Sequence, residues 1–363
     1  MRAELHAVIV TCVRRDLAID IAKGCAILSM ITGHFAAGEV VAKPAHLVPD
    51  FDGASAFVLL SGLLLGIVHR RKIDSTGTFQ ASRASMIRRV AVIYSCQLTI
   101  SLAAFSVLIL GFPEITGLGH PSSWSQIFFL RYVPPGGDVL SLYFILMILA
   151  IMLLPLIQRG FGKWVIVASF ALYIYALIAP YALWNYWASW QILFVPAIVV
   201  GWSWSEQNIA AILEKRALTL MILSVSIAIT SVYLNSLNIG GLREILSDKV
   251  TFGPSRVVAA WVIVPTIYAM VQILLRRVPS KWFRPLSMAG ARSLDSYVLQ
   301  ALLLIALPLL VNLPWGTLEK TTSALGTFLV CWGWSEARRA LNIQKLHRLP
   351  SAVWVSLTPS RAS

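Results

Sequence analysis

Arg15-Asp-Leu-Ala-Ile-Asp-Ile-Ala-Lys-Gly-Cys-Ala-Ile-Leu-Ser-Met-Ile-Thr-Gly-His34 decides how the rest of the chain is read. The stretch is apolar enough to begin a membrane helix, yet it holds Lys23 and His34. An ionisable group inside a membrane segment is costly and needs a partner or a task. The two residues are eleven apart, which is about three helical turns, so they share one face and lie roughly 16 Å apart along the axis. Asp20, three residues before Lys23, joins that face as a counter-charge.

Composition agrees with a membrane setting. Of 363 residues, 58% are hydrophobic and only 13% are charged, whereas soluble domains are about half apolar and a quarter charged. Ten stretches approach the roughly 20 residues that a helix needs to cross a bilayer. They are 17–37, 52–69, 89–112, 138–158, 163–181, 188–205, 217–237, 254–275, 293–313 and 318–336. The uncharged run from Trp164 to Ser205 spans 42 residues. It divides at Pro180-Tyr-Ala-Leu-Trp-Asn-Tyr-Trp187, a turn with aromatic residues suited to an interface.

The net charge of +14 could signal a nucleic-acid partner, but its distribution argues against one. With ten spans, 23 of the 30 Lys and Arg residues fall on the side that holds both termini; 6 fall opposite, and Lys23 lies within a span. Positively charged loops stay in the cytoplasm. The expected fold is therefore an all-α polytopic membrane protein with about ten transmembrane helices and both termini cytoplasmic. A tail over 1–16, a membrane domain over 17–336 and a second tail over 337–363 divide the chain. The loop at 70–88 is expected to be the longest on the cytoplasmic side, and that at 113–137 the longest outside. Cys12, Cys25, Cys96 and Cys331 form no paired motif, and no Cys/His spacing implies a metal site.

Sidedness places His34, Asp52 and Asp138 in one outer layer. Histidine exchanges protons near neutral pH, and a carboxylate can orient it. Such a layer suits activation of a hydroxyl, which is a poor nucleophile until a base removes its proton. Both aspartates begin spans, where capping of free backbone amides explains them equally well. The inner layer holds Asp20, Lys23, Arg292 and Asp295. Cations there suit the phosphates of a nucleotide-type donor, although Asp20 and Lys23 also make sense as a structural ion pair. Gln97, Gln191, Gln272 and Gln300 are expected to bond between helices. The tryptophans near 184–190, 202–204 and 332–334 are expected to be interface anchors.

Together these residues resemble a known family. Asp20-x-x-Lys23-Gly24 followed by His34 is similar to the first-helix signature of the membrane acyltransferase-3 superfamily, in which an arginine stands where this chain has Lys23. Phe57-Val-Leu-Leu-Ser61-Gly62 resembles its second-helix motif. Asp138-Val-Leu-Ser-Leu-Tyr143 leading to Leu154-Pro155, Trp190-Gln191-Ile-Leu-Phe194, and Gly290-Ala-Arg-Ser293-Leu294 before Tyr297-Val298 resemble the OpgC branch, associated with succinylation of osmoregulated periplasmic glucans. The resemblance implies a multi-pass enzyme of the bacterial inner membrane. It would take an acyl group, succinyl or acetyl, from cytoplasmic acyl-CoA to a hydroxyl of an extracytoplasmic carbohydrate. Acyl-CoA is then a donor substrate, with no permanently bound cofactor. His34 would be the base, oriented by Asp138 or Asp52; Lys23, with Asp20 and Arg292, would hold the donor. Ser61 is either an acyl relay or part of a tight packing pair with Gly62. Lysine keeps the arginine's charge but loses its planar two-point grip. Asp295 adds a charge where a neutral residue is expected. A non-enzymatic transporter or flippase of an acylated or anionic glycan is the alternative, and an amine acceptor is a third. One passage is expected to join the Lys23 and His34 levels.

Overall fold

A computed structural model describes residues 16–121, 123–179, 185–237, 241–311 and 315–343. Residues 1–15 and 344–363 of the expected tails, Cys12 among them, and residues 180–184 of the expected interhelical turn lie outside the described residues. The protein is an all-α polytopic membrane protein, with no strand among the described residues.

Each of the ten apolar stretches forms one helix. These are α1 (Leu17–Phe35), α2 (Gly53–Thr76), α3 (Phe79–Ile109), α4 (Asp138–Gln158), α5 (Gly162–Ile178), α6 (Asn185–Trp202), α7 (Ala217–Ser236), α8 (Pro254–Arg277), α10 (Ser293–Leu310) and α11 (Thr317–Ala340), with the short α9 (Arg284–Ala291) before α10. Seven of them are long and apolar enough to cross a membrane; α5 and α6 are apolar but shorter. In α11 the first turn carries Glu319 and the last turn Arg338 and Arg339, so charge interrupts its apolar run. Prolines 155, 196, 265 and 308 sit inside helices, as membrane helices tolerate when neighbours satisfy the freed backbone groups.

The expected 70–88 loop does not form. α2 continues to Thr76, α3 starts at Phe79, and only Gly77 and Thr78 connect them. Hydropathy marks where lipid-compatible residues stop, not where the helix stops. Beyond the apolar part Arg70 pairs with Asp74 at 3.0 Å, one turn apart, and the helix ends where Gly77 takes the left-handed conformation at φ 68°. The expected boundary at 336 is likewise passed, since α11 runs on to Ala340.

α1 lies at the centre, packed against α2, α8, α9, α10 and α11. Its start is fixed by Asp16, whose side chain accepts from the Ala18 and Ile19 amides and from the Tyr268 hydroxyl at 2.9 Å. Closeness to α9 depends on Gly24 and Gly290: a methyl group on either would overlap backbone of the other helix. α7 is the opposite case. Leu218, Ile222, Leu223, Val225, Ile229 and Val232 are all exposed, a surface that water would not tolerate and lipid would.

Two expectations about packing need correction. Trp190, Trp202 and Trp204 are buried, not interfacial. Trp190 packs on Phe252 at 4.3 Å, Arg70 lies over Trp202 at 5.1 Å, and Trp204 meets Tyr268 edge-on. Trp184 lies outside the described residues. Among the glutamines, Gln191 does join two helices through Ser169. Gln272 bonds within its own helix, to Tyr268, and Gln97 and Gln300 are buried without a protein partner.

Candidate functional site

His34 occupies the last turn of α1 and is exposed to a cavity of about 300 Å³. Asp52 and Asp138 line the same cavity, brought there by the starts of α2 and α4. The aspartates differ in local role. Asp52 is the cap of α2: its Oδ1 accepts from the Ser55 amide at 2.8 Å and the Ser55 hydroxyl at 2.7 Å. Its Oδ2 lies 3.7 Å from Lys249 and 3.5 Å from Arg256. Capping and a place in the cavity are thus not alternatives, because each uses its own oxygen. Asp138 is not a cap; Gly137 is, and Asp138 is the first residue of α4.

His46, Lys249 and Arg256 complete the charged wall. Sequence reasoning missed all three as site residues, because His46 comes from the short helix Lys43–His46 between α1 and α2, Lys249 from the segment before α8, and Arg256 from the start of α8. Charge balance was the available signal: two carboxylates in one layer call for cations, and Lys249 and Arg256 flank that layer. Among the described residues no group of three His, Cys, Asp or Glu side chains could hold a metal.

Lys23 is 2% exposed and lies with Nζ 5.1 Å from the centre of the Phe57 ring, a cation–π contact. It lines a second cavity, of about 210 Å³, with Ser61, His69, Ser85, Arg89 and Tyr143. Asp20 is buried nearby on α1 but is not among the cavity's lining residues. Nor is Arg292, which donates from Nη1 to the Ile343 carbonyl at 3.1 Å. Arg89 is the second cation that lines the Lys23 cavity, its guanidinium 5.9 Å from the Tyr143 ring. Asp295 is matched by Arg338, a residue first assigned to the tail, through a buried ion pair. His69, also buried, hydrogen-bonds Ser82 across α2 and α3.

The Ser61-Gly62 pair divides its work. Gly62 lets α2 approach the backbone of Phe194 on α6, whereas the buried Ser61 hydroxyl faces the Lys23 cavity without a protein partner. Lys23 and His34 line separate cavities, and Phe57, Tyr143 and Tyr297 pack together beside Lys23, with ring centres 6.0 and 6.1 Å from Phe57.

The protein is thus a membrane bundle that places a His–Asp cavity and a Lys–Arg cavity along one central helix. The OpgC protein family matches residues 15–340, and the chain belongs to that family. Membership points to a glucan-modifying acyltransferase. No curated protein matches the chain.

Proposed function

We propose that the protein is an O-acyltransferase of the bacterial inner membrane, with both termini in the cytoplasm, that acylates a hydroxyl of an extracytoplasmic glycan. The observation that carries this reading is the division of α1: His34 shares a cavity with Asp52 and Asp138, while Lys23, three turns away, lies with Arg89 in another. Acyl-CoA, carrying succinyl or acetyl, is the donor and approaches from the Lys23 side. The cations there complement its phosphates, and the unpartnered Ser61 hydroxyl offers a hydrogen bond to its extended arm.

His34 acts as general base. As the acceptor oxygen attacks the thioester carbonyl, its proton passes to the imidazole. The C–S bond breaks, the C–O ester bond forms, and the proton moves on to the departing thiolate sulfur. Asp138 and the Oδ2 atom of Asp52 orient the ring and stabilise its cation. For the thioester to reach His34 from the Lys23 side, the donor's arm passes the Phe57 cluster.

Purified protein in lipid nanodiscs, given radiolabelled acyl-CoA and a soluble glucan, tests this. Ester formation is expected, and His34→Gln is expected to lower it by roughly 10²–10⁴-fold with the fold retained. Undiminished transfer by His34→Gln removes the proposed base. Movement of glycan across the membrane with no covalent change would select a transporter.

A further inference from the structure

A third cavity, of about 400 Å³, adjoins the His34 cavity and differs from it in kind. It lies between α1, α2, α8 and the short helix Lys43–His46, and no charged side chain lines it. Ser29, Val48, Phe51 and Gly53 belong to both walls. From that shared edge the cleft follows α1 down to Ala22, seven residues or about 10 Å of helix. Its rim carries Leu47, an exposed apolar residue beside exposed Pro44.

We propose that this cleft holds the aliphatic chain of a lipid-linked acceptor, so that the hydroxyl-bearing sugar sits at His34 and its tail runs along α1. The inference rests on the acyltransferase reading and adds the acceptor's class to it. Three observations favour this occupant. First, a chain in the cleft continues directly into the cavity through the four shared residues, so head and tail belong to one molecule. Second, the polar cavity sets two carboxylates, Asp52 and Asp138, against Lys249 and Arg256, a balanced lining that suits a neutral polyol. Third, the Ser29 hydroxyl stands at the junction, 8% exposed and without a protein partner. An unpaired buried hydroxyl costs free energy, and the ether oxygen that links sugar to chain would satisfy it there. The donor's own site lies at the other cavity, and the apolar rim gives a chain in the same leaflet lateral access.

The test compares glucose oligosaccharide with an octyl glucoside as acceptors for the protein in nanodiscs. A second octyl glucoside, carrying a diazirine on its chain, maps binding by photolabelling and mass spectrometry whether or not transfer occurs. The tailed acceptor is expected to have a KM at least about tenfold lower. Ala45→Trp at the rim and Ala26→Leu deeper in α1 are expected to remove that advantage, which excludes simple partitioning into lipid as its cause. Photolabel is expected on α1 and α8. Equal KM values, a preference that survives both substitutions, a preference that follows the donor's acyl length, or label absent from α1 and α8 would each overturn the inference. Transfer to the soluble acceptor alone leaves the acyltransferase reading standing and removes only the lipid-linked acceptor. Cleft labelling with no transfer to either acceptor supports the site and removes the enzyme.

Discussion

Arg256 meets Asp52 on the oxygen that the helix cap does not use: Nη1 lies 3.5 Å from Oδ2, while Oδ1 is taken by Ser55. One carboxylate therefore ties the start of α2 to the start of α8 and still faces the His34 cavity. The two duties separate by substitution. Asp52→Asn keeps an oxygen for the Ser55 amide but deletes the charge, so kcat/KM is expected to fall at least about tenfold while the thermal midpoint moves little. Asp52→Ala removes both and is expected to cost about 1 kcal/mol of stability as well. Steady-state kinetics and thermal unfolding in the same lipid check the pair; a midpoint drop in Asp52→Asn as large as in Asp52→Ala would contradict the division.

At the other cavity, Lys23 and Arg89 are expected to act on donor binding. Arg89→Leu raises the donor KM at least about tenfold and changes kcat less, as loss of uniform binding requires. Lys23→Arg gives the cavity the planar fork that the resemblance associates with this position, and is expected to lower the donor KM. Initial rates over a donor concentration series decide. Equal loss in kcat and kcat/KM for Arg89→Leu would place that residue in the transition state instead.

The Asp295–Arg338 ion pair predicts strong coupling. Arg338→Met leaves a carboxylate buried without its partner, at a cost of about 3–5 kcal/mol. Adding Asp295→Asn is expected to restore most of that loss, because the double variant buries no charge. A double-mutant cycle by thermal unfolding measures the coupling. Additive losses would show that the pair contributes nothing as a pair.

Sidedness has a direct check. In a background with the native cysteines replaced, Lys43→Cys and Arg71→Cys are expected to react with an impermeant maleimide from opposite faces of intact cells, Lys43→Cys from outside. Both positions are exposed, on the short helix before α2 and near the end of α2 respectively. Labelling from the same face would remove the proposed orientation.

The helices were legible because lipid demands continuous apolar runs, and each of the ten runs is one helix. Their ends were less so. The Arg70–Thr76 extension of α2 is held by local helix bonding and an ion pair, to which hydropathy is blind. His34, Asp52 and Asp138 were grouped correctly because all three sit at helix ends of the same level, a one-dimensional property. Arg89 was not foreseen beside Lys23, because level alone does not say which way a helix faces; Arg292, at the same level, donates to the Ile343 carbonyl. His46 and Lys249 depend on how the connections before α2 and α8 fold, which no periodicity encodes, and Arg256 follows the latter at the start of α8. Trp190 and Trp204 were assigned to the interface by residue type, whereas the structure uses their size to fill the interior.

The rings of Phe57, Tyr143 and Tyr297 pack together beside Lys23. A catalyst that receives one reactant from each compartment risks short-circuiting the proton and ion gradients across its membrane. Three aromatic side chains, each no more than 2% exposed, fill the interior at the Lys23 level with apolar rings. Packing of that kind resists leak at this level in the resting protein, and a bound donor arm would fill the gap it opens.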